Sequence, residues 1–247
     1  MSLMLRAFGR LCPEIGGLDF RIVGRLHQLE NTDSTKQIVA GNGFKMAGDT
    51  SNAAYISGIN ERPLMRRLAA KIRRGSTVYD VGANIGYTAL WVAKACQSEV
   101  IAFEPEPGTF ERLQRNASLN PGLAVRCENL ALGAEDTAAE LYSVSAGDGA
   151  ASLSRRPGIS GVPIRIARLD GLALKAPDWL IIDVEGHGAG VVAGAAETIQ
   201  RCTPGLAVEI HSDEEFDGIS ALLPRSYRLA ESLTTIWGRH VFWEVAS

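Results

Sequence analysis

The stretch Val78-Tyr79-Asp80-Val81-Gly82-Ala83-Asn84-Ile85-Gly86-Tyr87-Thr88 constrains the fold more than any other part of the chain. Thr77, Val78, Tyr79 and Val81 make a β-rich run. Gly82 and Gly86 bracket a tight turn, where missing side chains let backbone approach a ligand closely. Ala89, Leu90, Val92 and Ala93 then supply the apolar face of a helix. A strand, a glycine turn and a helix in that order aim helix N–H groups past the carboxyl end of the strand. In open α/β sheets, nucleotide-like ligands bind there.

The turn departs from two phosphate-binding patterns. Asn84 and Tyr87 stand where G-x-G-x-x-G needs its second and third glycines, and no Gly-Lys-Ser/Thr follows. It carries Asp80 instead, two residues before the first glycine. An acid at a strand tip repels a pyrophosphate and attracts an ammonium group. S-adenosylmethionine has a nucleoside, an α-amino group and no phosphate. A second apolar run, Val100 to Phe103, ends in Glu104, about twenty residues past the turn. That spacing suits an acid accepting hydrogen bonds from both ribose hydroxyls. The competing reading is a generic nucleotide fold with solvated acids at its strand ends.

The 247 residues suffice for one α/β domain with an N-terminal elaboration. Twenty-five basic and 28 acidic residues give a net charge of -3. That balance offers no general attraction for nucleic acid or an anionic membrane. Cys12, Cys96, Cys127 and Cys202 are scattered and form no C-x-x-C, as expected of free thiols in a reducing, cytoplasmic setting. No apolar run approaches a bilayer span, and the first residues lack a signal-peptide core. Association of like copies stays open.

Along the chain, Phe20–Val23 and Lys36–Val39 read as strands of a small N-terminal β layer, with a turn at Gly41-Asn42-Gly43. We place this elaboration at residues 1–60 and the main domain at 61–247. Pro63 opens a helix that Gly75 ends. Phe110, Leu113 and Ala117 mark another, stopped by Asn120-Pro121-Gly122. Leu123–Cys127, Thr137–Ser143 and Val162–Leu169 read as strands. Asn129 and Leu130 lie where a polar and an apolar side chain border an adenine. The Gly- and Ser-rich loop from Ser143 to Gly161 is either a substrate-covering lid or a plain connection. Trp179–Asp183 and Leu206–His211 are buried strands with polar tips. Between them Val191 to Ile199 form one helix. Ile219, Leu222 and Leu223 suggest a further helix; Arg225–Leu229 and Val241–Val245 close the chain as strands. Alternating strands and helices predict a mostly parallel α/β sheet.

Several landmarks occur in a recognisable order: Asp80–Gly86, Phe103-Glu104-Pro105, Ala131-Leu132-Gly133, Arg168-Leu169-Asp170, Ile182–Gly186 and Val208-Glu209-Ile210. In these the chain resembles the FkbM family of S-adenosylmethionine-dependent methyltransferases, from about Glu61 to about His211. The resemblance implies a Rossmann-like class I methyltransferase sheet of seven strands with the last antiparallel. It implies that Asp80, Gly82, Asn84 and Gly86 hold the methionine end, with Asp183 beside them. Glu104 would hold the ribose, and Asn129 and Leu130 the adenine edge. His187 and Gly188 stand where family members often carry an aromatic residue and an acid.

Methyl transfer from a sulfonium needs alignment of donor and acceptor. A hydroxyl acceptor also gains from a base. Asp183, Glu185, His187, Glu209 and His211 end two strands expected side by side. His211 is our candidate base: its ordinary pKa leaves it mostly neutral at pH 7, and Glu209 lies two residues before it on the same face. Asp183 and Glu185 complete the expected catalytic set. A second reading makes Asp183, His187 and His211 ligands of a divalent metal; a third pairs Glu209 with His211 structurally. No resident metal is expected. The leading function is O-methylation of a hydroxyl on a small-molecule or sugar-containing metabolite. A non-catalytic S-adenosylmethionine-binding protein and an NAD-dependent dehydrogenase are the alternatives. Amino-directed nucleic-acid methylation lacks its Asn/Asp-Pro-Pro-Tyr signature.

Overall fold

A computed structural model describes residues 37–39, 43–47, 62–142, 153, 158–235 and 238–246. The chain runs through a hairpin, β1 (Gln37–Val39) and β2 (Lys45–Ala47), then α1 (Arg62–Lys71), β3 (Thr77–Val81) and α2 (Tyr87–Ala95). Next come β4 (Glu99–Phe103), α3 (Pro107–Ser118), β5 (Val125–Glu128), β6 (Ala131–Leu132), β7 (Thr137–Leu141), β8 (Val162–Ala167) and β9 (Trp179–Ile182). The last elements are α4 (Gly188–Gly194), α5 (Ala196–Cys202), β10 (Gly205–Ile210), α6 (Asp213–Leu222), β11 (Tyr227–Thr234) and β12 (Arg239–Val245).

Seven strands form one sheet in the order β11-β12-β10-β9-β3-β4-β5. Neighbours from β5 to β10 pair in parallel, and β12 is antiparallel to both β10 and β11. The expected sheet is therefore present, with its last strand reversed. From β3 the sheet first grows through β4 and β5; the chain then returns to β9, on the other flank of β3, and grows the opposite way. Growth reverses between β3 and β9, the switch point beyond whose carboxyl ends open α/β sheets bind their ligands.

The central strands are apolar on both sides because both sides are covered. Val78, Val100, Ala102, Trp179 and Ile181 face α1, α2 and α3, meeting Leu68, Leu90 and Leu113. Tyr79, Ile101, Phe103, Leu180 and Ile182 face α4, α5 and α6, meeting Val191, Ile199 and Ile219. The period of two puts successive residues in opposite cores. A separate sheet, β6-β8-β7, lies between β5 and β9 in sequence.

The hairpin is built onto the first core. Phe44 and Met46 are buried there, and the Phe44 ring lies 5.5 Å from that of Tyr87. Side chains of α3 and of the turn after it stand in for a neighbouring strand: Asn120 Oδ1 accepts from Lys45 N (2.8 Å), and its Nδ2 donates to Lys45 O (2.7 Å). Asn116 Oδ1 accepts from Ala47 N (2.8 Å).

Several expectations change. The single helix expected around Val191–Ile199 is two, α4 and α5, broken at Ala195. Two tertiary contacts set the break. A Cβ at Gly194 would lie 1.8 Å from the Gly133 carbonyl oxygen, so α4 ends in close contact with another backbone. The Asp170 carboxylate, in the short 3₁₀ turn Leu169–Gly171, accepts from Glu197 N (3.0 Å) and Thr198 N (2.8 Å) and so starts α5 afresh. The strand expected at Arg225–Leu229 instead runs Tyr227–Thr234, and that expected at Val162–Leu169 stops at Ala167. The expected strand Phe20–Val23, the turn residues Gly41 and Asn42, and most of the Ser143–Gly161 loop lie outside the described residues.

Candidate active site

The glycine turn is held by backbone on every side. Gly82 N and Ala83 N both donate to Phe103 O, at 3.0 and 2.9 Å, and Gly86 N donates to Ala83 O (2.8 Å). Asn84 takes the left-handed conformation (φ 49°), which Asn tolerates better than most residues. Its Oδ1 accepts from Ile85 N (2.8 Å). The room expected for a ligand at the two glycines is filled by protein. A Cβ at Gly82 (φ +85°) would lie 1.8 Å from the Asp183 carbonyl oxygen, and one at Gly86 (φ +89°) would lie 2.5 Å from Leu113 Cδ1. The glycines bring the turn against β9 and α3. Asp183 N donates to Val81 O (2.9 Å), so the turn and the tip of β9 form one wall.

Two carboxylates lie under this wall. Asp80 is 3% exposed, and its Oδ2 has no hydrogen-bond partner among the described residues. Burial pushes its pKa up to about 7; the Asp183 charge adds to this, and a bond from the Ala89 amide opposes it. Glu104 is 7% exposed. Its Oε2 accepts from Asn84 N and its Oε1 from Glu106 N, both at 2.9 Å. Burial raises its pKa to about 7 as well, against those two amides and with help from the Glu106 and Asp183 charges. Each Glu104 oxygen keeps a lone pair for a ribose hydroxyl. A sulfonium or ammonium at the crevice supplies the positive charge that the orphaned Asp80 oxygen lacks. These residues fit S-adenosylmethionine.

Asn129 and Leu130 fare differently from one another. Asn129 is exposed, and its Nδ2 donates to Glu104 O (2.9 Å) and Pro105 O (3.0 Å), fixing the tip of β4. The Leu130 side chain is buried in the second core with Tyr79 and Phe103.

The tips of β9 and β10 bring the other expected residues together. His211 Nε2 lies 3.7 Å from Asp183 Oδ1, and Nδ1 lies 3.8 Å from Glu185 Oε2. These distances make ion pairs rather than full hydrogen bonds. The Asp183 carboxylate chiefly, opposed by burial and aided by the Glu185 and Glu209 charges, raises the His211 pKa to about 9. The protonated ring is favoured over the neutral imidazole expected, because neighbouring carboxylates outweigh burial. Its two ring nitrogens face Asp183 and Glu185; Glu209 Oε2 in turn lies 4.0 Å from Nδ1 of buried His240. Asp183, Glu209 and His211 place one ligand atom each within 4.8 Å of one another, so the metal-ligand set expected with His187 has Glu209 in its place. His187 is exposed and precedes α4 without a side-chain cap.

Sequence reasoning missed two residues. His240 sits opposite Glu209 in the β10–β12 register, a pairing no local pattern announces. Glu215 Oε1 accepts from Gly188 N (2.8 Å) and Oε2 from His211 N (2.9 Å). Its signal was available: Ser212 and Glu215 have the spacing of a capping box, and Ser212 Oγ accepts from Glu215 N (3.1 Å).

Residues 80–235 match the sequence profile of the family described as "Methyltransferase FkbM domain". A hexuronic acid methyltransferase, AglP, of Haloferax volcanii is 27% identical over 190 residues, 71% of this chain and 72% of that protein. Methyltransferase 1 of Beauveria bassiana is 40% identical over 67 residues, 27% of each. Among solved structures, the methyltransferase FkbM of Methylobacillus flagellatus superposes with a TM-score of 0.53 at 15% identity. That match covers 90% of this chain and 59% of the other, and the likeness is one of fold. Spanning well over half its length, the profile match shows that this chain belongs to the FkbM methyltransferase family, with S-adenosylmethionine as its cofactor.

Proposed function

We propose that this chain methylates a hydroxyl oxygen on a small, sugar-containing acceptor, with Asp80, Asn84 and Glu104 on the donor side and Asp183, Glu185 and His211 on the acceptor side. One observation carries the reading: the β9 and β10 tips gather an imidazole between two carboxylates, on the wall that Asp183 shares with the glycine turn. S-adenosylmethionine, when bound, supplies a methyl group on a positively charged sulfur. Glu104 binds the ribose diol, and the buried negative charge of Asp80 favours the cationic methionine end. Asn129 keeps Glu104 in place by tying down its carbonyl. A sugar hydroxyl at the apex of the His211–Asp183 pair meets both groups. His211 in its free-base form takes the proton, and Asp183 and Glu185 stabilise the imidazolium that results. The sugar class is supported by the name of the Haloferax relative, a hexuronic acid methyltransferase.

The test is methyl transfer from labelled S-adenosylmethionine to a panel of monosaccharides, uronic acids and their glycosides, with the methylated oxygen located by NMR. With an accepted sugar, turnover rises with pH up to about 9, because the base is the unprotonated ring. His211→Ala lowers kcat on the order of a hundredfold or more, with little change in cofactor affinity. A flat profile between pH 6 and 9, with an active His211→Ala variant, would transfer the base role to Asp183 or Glu185.

A further inference from the structure

We propose that Glu215, buried beneath the acceptor wall, is a positioning residue that sets the His211 ring against Asp183 and Glu185. The proposal rests on the acceptor-side reading above for its kinetic consequence, but its geometry stands apart from it.

Glu215 belongs to the first turn of α6, far from the glycine turn in sequence and outside every landmark of the chain. Its carboxylate is 6% exposed, and both oxygens are committed to backbone donors on different elements. Oε1 takes the amide of Gly188, the first residue of α4, just after the Asp183–His187 segment. Oε2 takes the amide of His211, the residue after β10. One side chain therefore links the two segments that carry Asp183, Glu185 and His211. In an ordinary capping box the acid would return to the amide of its own cap, Ser212. Here Ser212 still holds Glu215 N, while the carboxylate reaches one residue further back and across to another helix.

Gly188 completes the fit. A Cβ there would lie 2.8 Å from Glu215 Oε1 and 3.1 Å from Ile219 Cδ1. The Gly188 backbone is not in the left-handed region, so space alone excludes a side chain. The missing methyl is the room through which the Glu215 carboxylate reaches the α4 amide. The carboxylate cannot act on the acceptor directly, because it is enclosed and both oxygens are engaged. Its effect must pass through the backbone of His211 and of the segment leading into α4. The ring answers to the charges around it: Asp183 and Glu185 at its two nitrogens, Glu209 from β10, and His240 from β12 behind Glu209.

Glu215→Gln is the sharpest test. The amide keeps the shape but offers only one acceptor oxygen, and its NH2 group faces one of the two N–H donors. One of the two links must fail. The His211 ring is located in crystal structures of this chain and of the variant, without any acceptor. Expected is a displacement of the ring by about 1 Å or more from Asp183 Oδ1 and Glu185 Oε2, enough to cost catalysis. With an acceptor in hand, kcat drops about tenfold and the KM for S-adenosylmethionine stays within about twofold. Gly188→Ala perturbs the same carboxylate from the other side while keeping its charge and displaces the ring likewise, which covers the case of a Glu215→Gln variant that does not fold. An unmoved ring in the folded variants overturns the proposal, as does a loss of turnover that only tracks the fraction unfolded. Failure to find a methylated sugar would count against the acceptor reading alone, since the ring position is read without substrate.

Discussion

Asp80 and Glu104 are carboxylates placed where an ionised carboxylate is costly, and both have pKa values raised to about 7. Their folded pKa values lie above their unfolded ones. The stability they contribute is therefore full below about pH 4 and is lost as pH rises through 7. His211, raised to about 9, adds a loss between its ordinary 6.5 and 9. The thermal midpoint of the cofactor-free protein should fall steadily from pH 5 to pH 9 in a differential scan, and Asp80→Asn should flatten its lower half. A cationic donor reverses the preference by favouring the ionised forms. S-adenosylmethionine should bind with release of protons near pH 7, and more of them than S-adenosylhomocysteine releases, because the product has lost the sulfonium charge. Calorimetry in buffers of different ionisation enthalpy reads this directly; equal proton release by both ligands would separate the buried acids from the charge of the donor. With Glu104 on the ribose as proposed, Glu104→Ala removes hydrogen bonds to a charged acceptor worth about 1.5–3 kcal/mol each, so affinity should fall at least about tenfold. The acids themselves were legible as strand tips. Their protonation was not, because it depends on depth and on Asp183, a residue from a distant strand.

Gly82 shows how an element junction is fixed. Its positive φ and the 1.8 Å approach of the Asp183 carbonyl leave no place for a methyl group. Gly82→Ala should destabilise by about 3 kcal/mol or more, strain and overlap together, as measured by urea unfolding. Asn116 ties three elements in one amide: it accepts from Ala47 N in β2 and donates to Ile85 O in the glycine turn. Asn116→Ala would leave both partners without this bond, at about 1–3 kcal/mol for a buried one. It should also loosen S-adenosylmethionine binding, because the turn loses its support from α3. At α5 the Asp170 carboxylate is held below its usual range: burial raises it, but the amides of Glu197 and Thr198 and the Arg168 charge outweigh that. Asp170 of the landmark Arg168-Leu169-Asp170 thus has a structural role in this chain, a helix start that depends on a residue far back in the sequence.

The two cores cover opposite faces of one sheet, and the hairpin belongs to the first of them. Phe44 and Met46 share a cluster with Leu90, Ala207 and Phe242, so the described part of the N-terminal elaboration is packed into the main fold. Met46→Ala should cost about 2–5 kcal/mol and lower the midpoint of a single calorimetric transition; a separate early transition with an unmoved main one would mean that the hairpin folds apart from the sheet. The sequence by itself determined the parallel α/β sheet, its glycine turn and its acid-tipped strands, because each is written in short-range signals: period-two apolar runs, turn residues and helical spacing. It also determined the family, through landmarks in a fixed order. Tertiary structure alone decided that α4 and α5 are separate and that Glu209 faces His240. It also decided that His211 lies between Asp183 and Glu185, and that Glu215 reaches beneath them. The physical reason is common to all four. Each is a contact between elements distant in sequence, and burial depth, charge proximity and backbone approach exist only once the sheet has brought those elements side by side.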